Sequence, residues 1–371
     1  DEIFKVNRRD FEALKQSTGF DTKTLMKAIK TAYREISKAA EGESVSFKKN
    51  GIKFIATQTS DGLNLMQVTK DLIGKGSFGK VTVAKAFARP DLPLVSKKIL
   101  DRSDDTREEI LNEASMVRFC NEEHPHLDLL YNQEGRLDGI PPAFLAVFNV
   151  TAPEKTGYIA ERCFGDLTKM FRRNGKTKVN IAIQLLKGLE NLSRLELVHY
   201  DIKPENILVK KNGNQVRAYF ADFGGAIRYE GGYKVNNGKA TYTPAYQSTD
   251  FSRDQREIFY TAGYKNSPDL QEQRMEILKK NDRLALGLTL YELFLGRTID
   301  TRQEGPFKMS QERNGLDLAS YNPDVIRRNL SLMRVSEPIQ ELLVEMLQMD
   351  QPFNLLDGVA RLEQLLAQKA Y

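Results

Sequence analysis

The chain has 371 residues, enough to bury the cores of two lobes or domains. Its 55 basic and 50 acidic side chains leave a net charge of +5, and no basic run reaches five residues, so a nucleic-acid partner is not expected. Cys120 and Cys163 lie far apart without metal-ligand spacing, which predicts free thiols. No apolar run approaches the roughly 18 residues of a membrane span, so we expect a soluble protein without a transmembrane segment.

Residues 1–66 are predicted to form an N-terminal extension of helices followed by a β-hairpin. Apolar residues recur at three-to-four spacing from position 25 to position 36, which is typical of one face of a helix. Asp21 and Thr22 are candidate caps at the start of that helix. Asn50-Gly51 then predicts a type I′ hairpin.

A glycine-rich loop between two strands follows at about position 74. A backbone that lies close to phosphate oxygens needs glycine there, because a Cβ would hold it away. The same glycine spacing could open a dinucleotide-binding unit, but that reading requires a helix next, and Val81-Thr82-Val83 indicates a strand. The predicted nucleotide-binding residues of this segment are Gly74, Lys75, Gly76, Ser77, Phe78, Gly79 and Val81.

The most informative motifs lie after position 164, where the chain is predicted to be mostly helical. His199-Tyr200-Asp201-Ile202-Lys203-Pro204-Glu205-Asn206 is followed, after a hairpin predicted around Gly213, by Asp222-Phe223-Gly224. Phosphoryl transfer from ATP needs one carboxylate for the acceptor hydroxyl, one cation at the moving phosphoryl group and two oxygen ligands for Mg²⁺. The two motifs supply these groups in order: Asp201, Lys203, Asn206 and Asp222.

With these motifs in this order, the chain resembles the eukaryotic-like Ser/Thr protein kinases from about residue 67 onward. The resemblance implies an α+β, bilobal fold: a β-rich N-lobe and hinge at 67–163, and a mostly helical C-lobe at 164–371 with an insertion at about 251–281. It also implies ATP and Mg²⁺ as cofactors. Asp201 and Lys203 would be catalytic, Thr243 would hydrogen-bond both and favour serine or threonine acceptors, and Asn206 and Asp222 would hold the metal.

The resemblance also places residues in the predicted N-lobe and hinge. Of the adjacent Lys97 and Lys98, the alignment favours Lys98 at the phosphates and puts Ser96 beneath the adenine. Glu113 is the expected partner of that lysine, with Glu109 as the alternative. The hinge contacts would come from Glu161 and Cys163, the adenine floor from Leu208, and a ribose contact or a helix cap from Asp166.

Three departures from the family pattern carry information. Tyr200 replaces the arginine that usually receives an activation-loop phosphate, so we expect activity without such phosphorylation. Ser248-Thr249-Asp250 stands where the family has Ala-Pro-Glu, and Asn354 occupies the approximate place of the arginine partner of that glutamate. The insertion at 251–281 is either a partner-binding element or inert, and residues 1–66 are expected to hold the Glu113 helix in place.

Two other functions stay open from sequence alone. The chain could be a pseudokinase that binds nucleotide as a scaffold, or a kinase-fold enzyme that transfers another group such as AMP. The partners are expected to be protein substrates. The departures also resemble kinases that bacteria inject into host cells, which would make host proteins the substrates and place the protein either in the cytoplasm or secreted into a host cytoplasm.

Overall fold

The computed structural model of the chain describes residues 8–39, 43–59, 62–75, 79–87, 89, 91–99, 104–149, 156–213, 215–230, 233–236, 238, 242–251, 253, 267–300, 304–310 and 314–371. These residues divide into two compact units. The first comprises the described parts of 1–118 and 142–162, and the second those of 119–141 and 163–371. In the described ranges, no helix is both long and apolar enough to cross a membrane.

The first unit is built on a seven-stranded antiparallel sheet with the strand order β1-β2-β3-β4-β5-β7-β6. Ser44 closes this sheet, because it forms a parallel bridge to Phe148 and joins the first strand to the last. Helix α3 (Asp104–Cys120) carries Glu113. The strands are β1 Val45–Lys49, β2 Ile52–Thr59, β3 Gly62–Lys75, β4 Gly79–Ala86, β5 Leu94–Ile99, β6 Ala146–Phe148 and β7 Gly157–Glu161.

The N-terminal extension is part of this sheet. Strand β3 runs through position 66, where the extension was predicted to end. Asn50 and Gly51 have φ values of 48° and 78°, which confirms the predicted type I′ hairpin between β1 and β2. Asp21 accepts a hydrogen bond from the Thr24 N–H (2.6 Å) and caps the predicted helix.

The extension forms its own hydrophobic cluster on one face of the sheet. Helices α1 (Arg8–Thr18) and α2 (Thr22–Ile36) pack there, and α2 lies against β1 and β2. Phe54 of β2 belongs to this cluster, whereas the adjacent Ile55 belongs to the core on the opposite face. Among the described residues, the cluster contains none from α3, and the expectation that residues 1–66 hold the Glu113 helix in place stays a prediction.

The second unit is mostly helical and holds two three-stranded sheets and one two-stranded ladder within its described ranges. Residues 268–281 of the predicted insertion and the residues that follow them form one continuous 28-residue helix, α5. The strands are β8 Gly165–Asp166, β9 Leu197–Val198, β10 Ile207–Asn212, β11 Gln215–Phe220, β12 Ile227–Glu230, β13 Tyr233–Lys234, β14 Lys308–Met309 and β15 Leu316–Asp317. The helices are α4 Gly175–Arg194, α5 Pro268–Leu295, α6 Pro323–Leu332, α7 Glu337–Leu347 and α8 Leu355–Gln368.

Candidate active site

The loop that follows β9 is fixed to helix α5 by a buried carboxylate. Asp282 accepts hydrogen bonds from the backbone N–H groups of His199 (2.6 Å) and Tyr200 (2.9 Å). Burial raises the pKa of Asp282 to about 7, although both N–H donors act to lower it. Tyr200 has a left-handed backbone with φ of 69°. The loop therefore takes a tight conformation that its neighbouring helix holds in place.

His199 joins this loop to the segment that carries Asp222. Its Nδ1 lies 3.3 Å from the Asp201 N–H, and its Nε2 lies 2.9 Å from the Ala221 carbonyl. Both contacts are satisfied by a neutral ring protonated at Nε2. Burial lowers the pKa of His199, and the negative charges of Asp201 and Asp222 oppose that shift. Both carboxylates therefore lie within electrostatic range of one imidazole.

The Asp201 carboxylate is oriented at both oxygens. Oδ2 accepts from the Lys203 ammonium (2.7 Å) and from the Asn206 amide (2.8 Å), and Oδ1 accepts from the Thr243 hydroxyl (2.7 Å). The Lys203 ammonium also donates to Thr243 Oγ1 (2.8 Å). The structure thus brings four of the predicted site residues into one hydrogen-bonded group, and each side chain fixes the others.

Asn206 and Asp222 offer oxygen atoms suited to a hard cation. Both donor contacts of Asn206 come from its Nδ2, to Asp201 Oδ2 and to the Asp201 carbonyl, which leaves Oδ1 as an acceptor. Asp222 follows β11, has a left-handed φ of 64°, and is solvent-exposed. The Ala221 N–H donates to the Asn206 carbonyl (2.8 Å), so the two segments are in direct contact. An amide oxygen and a carboxylate are the ligand types that Mg²⁺ selects.

In the first unit, Glu113 pairs with Lys97 rather than with Lys98. Lys97 Nζ lies 2.9 Å from Glu113 Oε2, and the Tyr158 hydroxyl donates to Glu113 Oε1 (3.1 Å). Glu113 is only 5% exposed. The predicted pairing of Lys98 with Glu113 is therefore wrong, and Tyr158, which the sequence reasoning missed, is a second partner.

The alternation of β5 explains this correction. Val81 of β4 and Tyr158 of β7 stand opposite Lys97 in register, so all three share one face of the sheet. Ser96 stands opposite the fully buried Ile159 on the other face and is 1% exposed, which contradicts its predicted place beside the adenine. Lys98 shares the face of Ser96.

Lys53 lies on the same face of the sheet as Ser96 and Lys98. Burial lowers the pKa of Lys53 to about 8, and the positive charge of Lys98 is the next cause. Lys53 Nζ also lies 4.8 Å from the centre of the Phe148 ring, and Phe148 belongs to the core on the face of Ser96. Lys98 therefore lies near a second lysine.

The other predicted nucleotide-binding residues are placed as follows. Gly74 pairs with Val81, and Lys75 pairs with Lys80. A Cβ at Gly79 would lie 2.9 Å from the Lys98 carbonyl oxygen, so close approach of the two strands requires glycine there. Gly76, Ser77 and Phe78 lie outside the described residues.

The hinge residues end one strand and precede another. Glu161 ends β7. Cys163 directly precedes Phe164, whose N–H donates to the Val209 carbonyl (2.7 Å). Asp166 caps the 3₁₀ turn that follows it and accepts from the Thr168 N–H (3.0 Å), as the capping alternative predicted, and it pairs with the half-buried Leu208 in register.

The segment that ends at Asp250 rests on contacts that sequence reasoning did not find. The Tyr246 hydroxyl donates to Glu292 of α5 (2.7 Å), and the Gln247 amide donates to the Tyr200 carbonyl (2.9 Å). The Leu316 N–H donates to the Gln247 carbonyl (2.8 Å). These contacts support the segment, and Asp250 forms an ion pair with Arg253 (3.5 Å).

Comparison with known proteins gives the class. A family model described as the protein kinase domain matches residues 66–353, and the chain therefore belongs to the protein kinase family. The chain is 25% identical over 304 residues to a carbon catabolite-derepressing protein kinase of Candida albicans, a match covering 80% of the chain and 42% of the relative. It is 31% identical over 170 residues to the protein of the same name from Saccharomyces cerevisiae, which covers 44% of the chain and 24% of that relative.

A third relative comes from a plant. The chain is 32% identical over 194 residues to a probable LRR receptor-like serine/threonine-protein kinase of Arabidopsis thaliana, covering 50% of the chain and 18% of that protein. Each of these three matches spans less than half of the relative's own length. The predicted kinase family and the mixed α+β fold, with a β-sheet unit and a helical unit, are confirmed.

Proposed function

We propose that this chain is a Mg²⁺-ATP-dependent protein kinase that phosphorylates serine and threonine hydroxyls. We propose further that it does not need phosphorylation of its activation segment, residues 222–250. The observation that carries the proposal is the hydrogen-bonded group of Asp201, Lys203, Thr243 and Asn206. It holds a carboxylate and an ammonium side by side, which is the pair that phosphoryl transfer requires.

In this proposal Asp201 accepts the proton of the acceptor hydroxyl as the oxygen attacks the γ-phosphorus. Lys203 places its positive charge against the oxygens of the phosphoryl group, where negative charge develops. Asn206 and Asp222 would hold Mg²⁺, which neutralises charge on the phosphates when bound. Lys97, oriented by Glu113, would be the phosphate-binding lysine, and Glu161 and Cys163 would supply backbone contacts to the adenine.

Serine and threonine specificity rests on Thr243 and on the relatives. Thr243 hydrogen-bonds both Asp201 and Lys203, which fixes the acceptor side of the site. One relative is named a serine/threonine-protein kinase. Protein acceptors are supported by the family. They are also supported by the segment Pro244–Tyr246, which directly follows Thr243 and ends in a tyrosine whose hydroxyl donates to Glu292.

Independence from phosphorylation is supported by the side chain at position 200. A bidentate phosphate contact needs a guanidinium, which a phenol cannot replace. The Tyr200 hydroxyl instead lies 2.7 Å from the Tyr229 hydroxyl, and both side chains are buried. An activation-segment phosphate that approached Tyr200 would bring two negative charges into a buried site, and residue 200 would supply no cation to balance them.

The test is transfer of a labelled γ-phosphoryl group from ATP to a generic protein substrate, with the product mass measured. We expect wild type to add phosphoryl groups to serine or threonine, Asp201→Asn to abolish this, and the exposed-site control Asp128→Asn to retain it. Phosphatase-treated wild type should turn over as before. A nucleotidyl adduct, or an inactive wild type that still binds ATP, would contradict the proposal.

The proposal of host substrates rests on the sequence departures at residues 200 and 248–250 and on the extension. It is tested by comparing phosphorylation sites in a eukaryotic cell lysate treated with wild type or with Asp201→Asn. New serine or threonine sites that appear only with wild type would support host substrates. Equal site lists would contradict them.

A further inference from the structure

We propose that residues 268–281, the first half of helix α5, form a brace that packs on the Tyr200–Tyr229 pair. The brace holds the loop of residues 199–206, the catalytic loop, in the conformation that phosphoryl transfer requires. The inference rests on the proposed kinase function and names the device that replaces a phosphate in it. Met275, Leu278 and Tyr229 are then positioning residues for phosphoryl transfer.

The brace covers the tyrosine pair with apolar side chains. Leu278 is fully buried and Met275 is 7% exposed, and both belong to one hydrophobic cluster with Val198, Tyr200, Ile227 and Tyr229. The two brace residues are three positions apart, so they lie on one face of the helix. In addition, the Arg274 guanidinium carbon lies 6.0 Å from the centre of the Tyr229 ring.

The cluster spans the two segments that carry the acidic residues of the site. Strand β9 enters the catalytic loop and pairs with β12, which follows Asp222, through the register Val198 with Ile227. The Tyr229 N–H also donates to the Glu196 carbonyl (2.8 Å). The brace therefore packs where the segment of Asp201 and the segment of Asp222 are already joined.

The same helix holds Tyr200 a second time, through its backbone. Asp282 lies one helical turn after Leu278 and accepts from the N–H groups of His199 and Tyr200. Side chain and backbone of residue 200 are thus bound by adjacent turns of one helix. A displacement of the brace would move Tyr200 and therefore also Asp201, which directly follows Tyr200 in the chain.

The device differs physically from an arginine–phosphate pair. That pair depends on charge and on a modification, whereas the brace depends on apolar burial and on one hydrogen bond between hydroxyls. The outward side of residues 268–281 carries exposed Asp269, Glu272, Gln273 and Glu276. A partner-binding role for the insertion would involve that outer side, whereas the positioning role involves the buried side.

The experiment compares buried brace residues with matched exposed ones. Leu278→Ala and Met275→Gln are paired with Leu332→Ala and Met333→Gln, whose side chains are 77% and 53% exposed. We expect Leu278→Ala to lower kcat by about tenfold or more, because truncating a fully buried leucine removes more than enough packing energy for that change. The KM for ATP should stay within about twofold, and the controls should match wild type.

Tyr229→Phe gives a variant that keeps the packing and removes one oxygen. We expect kcat to fall several-fold, about as far in Tyr200→Phe, and no further in the double variant, because both remove the same hydrogen bond. Amide hydrogen exchange at His199 and Tyr200 should speed up in Leu278→Ala and in Tyr229→Phe. A purely structural role would lower the thermal midpoint and leave kcat and these amides unchanged below that midpoint.

Wild-type kcat in Tyr229→Phe together with wild-type kcat in folded Leu278→Ala would overturn the brace and leave the proposed function standing. If Leu278→Ala does not fold, Tyr229→Phe decides alone, and an unchanged kcat there refutes the inference. Failure of the proposed function has a different signature, since wild type itself would then transfer no phosphoryl group.

Discussion

The pairing of Glu113 with Lys97 predicts opposite outcomes for two adjacent substitutions. Lys97→Met leaves the carboxylate of Glu113, a residue that is 5% exposed, without its cation. Breaking a buried ion pair costs roughly 3–5 kcal/mol. The Lys97 side chain is 21% exposed and Tyr158 still donates to the glutamate, so we expect a smaller cost than this range, about 2–3 kcal/mol of unfolding free energy.

The same change removes a cation from the phosphates in the proposed function, so turnover should fall at least about a hundredfold. Lys98→Met keeps the Glu113 pair and removes a positive charge near Lys53, so we expect near-wild-type turnover and a rise in the pKa of Lys53 from about 8. The assays are kcat/KM for ATP and urea unfolding at one pH. Loss of activity in Lys98→Met with retention in Lys97→Met would refute the reasoning.

Three further predictions follow from packing and charge. Between about pH 4 and pH 7 the folded chain keeps a proton on Asp282 that the unfolded chain releases, so the unfolding free energy falls as pH rises, by at most about 1.4 kcal/mol per pH unit. Asp282→Asn should flatten the dependence of the unfolding free energy on pH, measured by urea titrations. An unchanged pH dependence would contradict the raised pKa of Asp282. Gly188→Ala places a Cβ 2.7 Å from Gly139 Cα and should lower the unfolding free energy by about 1–3 kcal/mol, measured by urea denaturation. An unchanged unfolding free energy would show that the neighbouring loop moves to make room. A chain starting at residue 66 should aggregate, because β3 loses its neighbour β2 and becomes an open edge; a soluble, monomeric and active fragment would count against this.

The catalytic loop was predictable because its geometry is local. Asp201, Lys203 and Asn206 lie within six residues, and their order alone indicates the chemistry. The hairpin at Asn50-Gly51 was predicted correctly because both positive φ values are properties of those two residues.

What the sequence left open depends on contacts between distant residues. Lys97 and Lys98 differ only in the face of β5 that they occupy, and that face is set by pairing with β4 and β7 and by irregular register in β3. The closure of the sheet depends on the β-bridge between Ser44 and Phe148, which are 104 positions apart, and no local sequence pattern predicts that bridge. Tyr229 carries no motif, and only the fold brings its hydroxyl to Tyr200.

Helix α5 also fixes the distance between two contacts within the second unit. Asp282 binds the backbone of His199, and Glu292 binds the hydroxyl of Tyr246. The two acidic residues are ten positions apart on one helix, a distance of about 15 Å along its axis. The spacing of these two contacts is thus fixed by a count of helical residues. The contacts that the first half of the helix makes through Met275 and Leu278 leave that spacing unchanged.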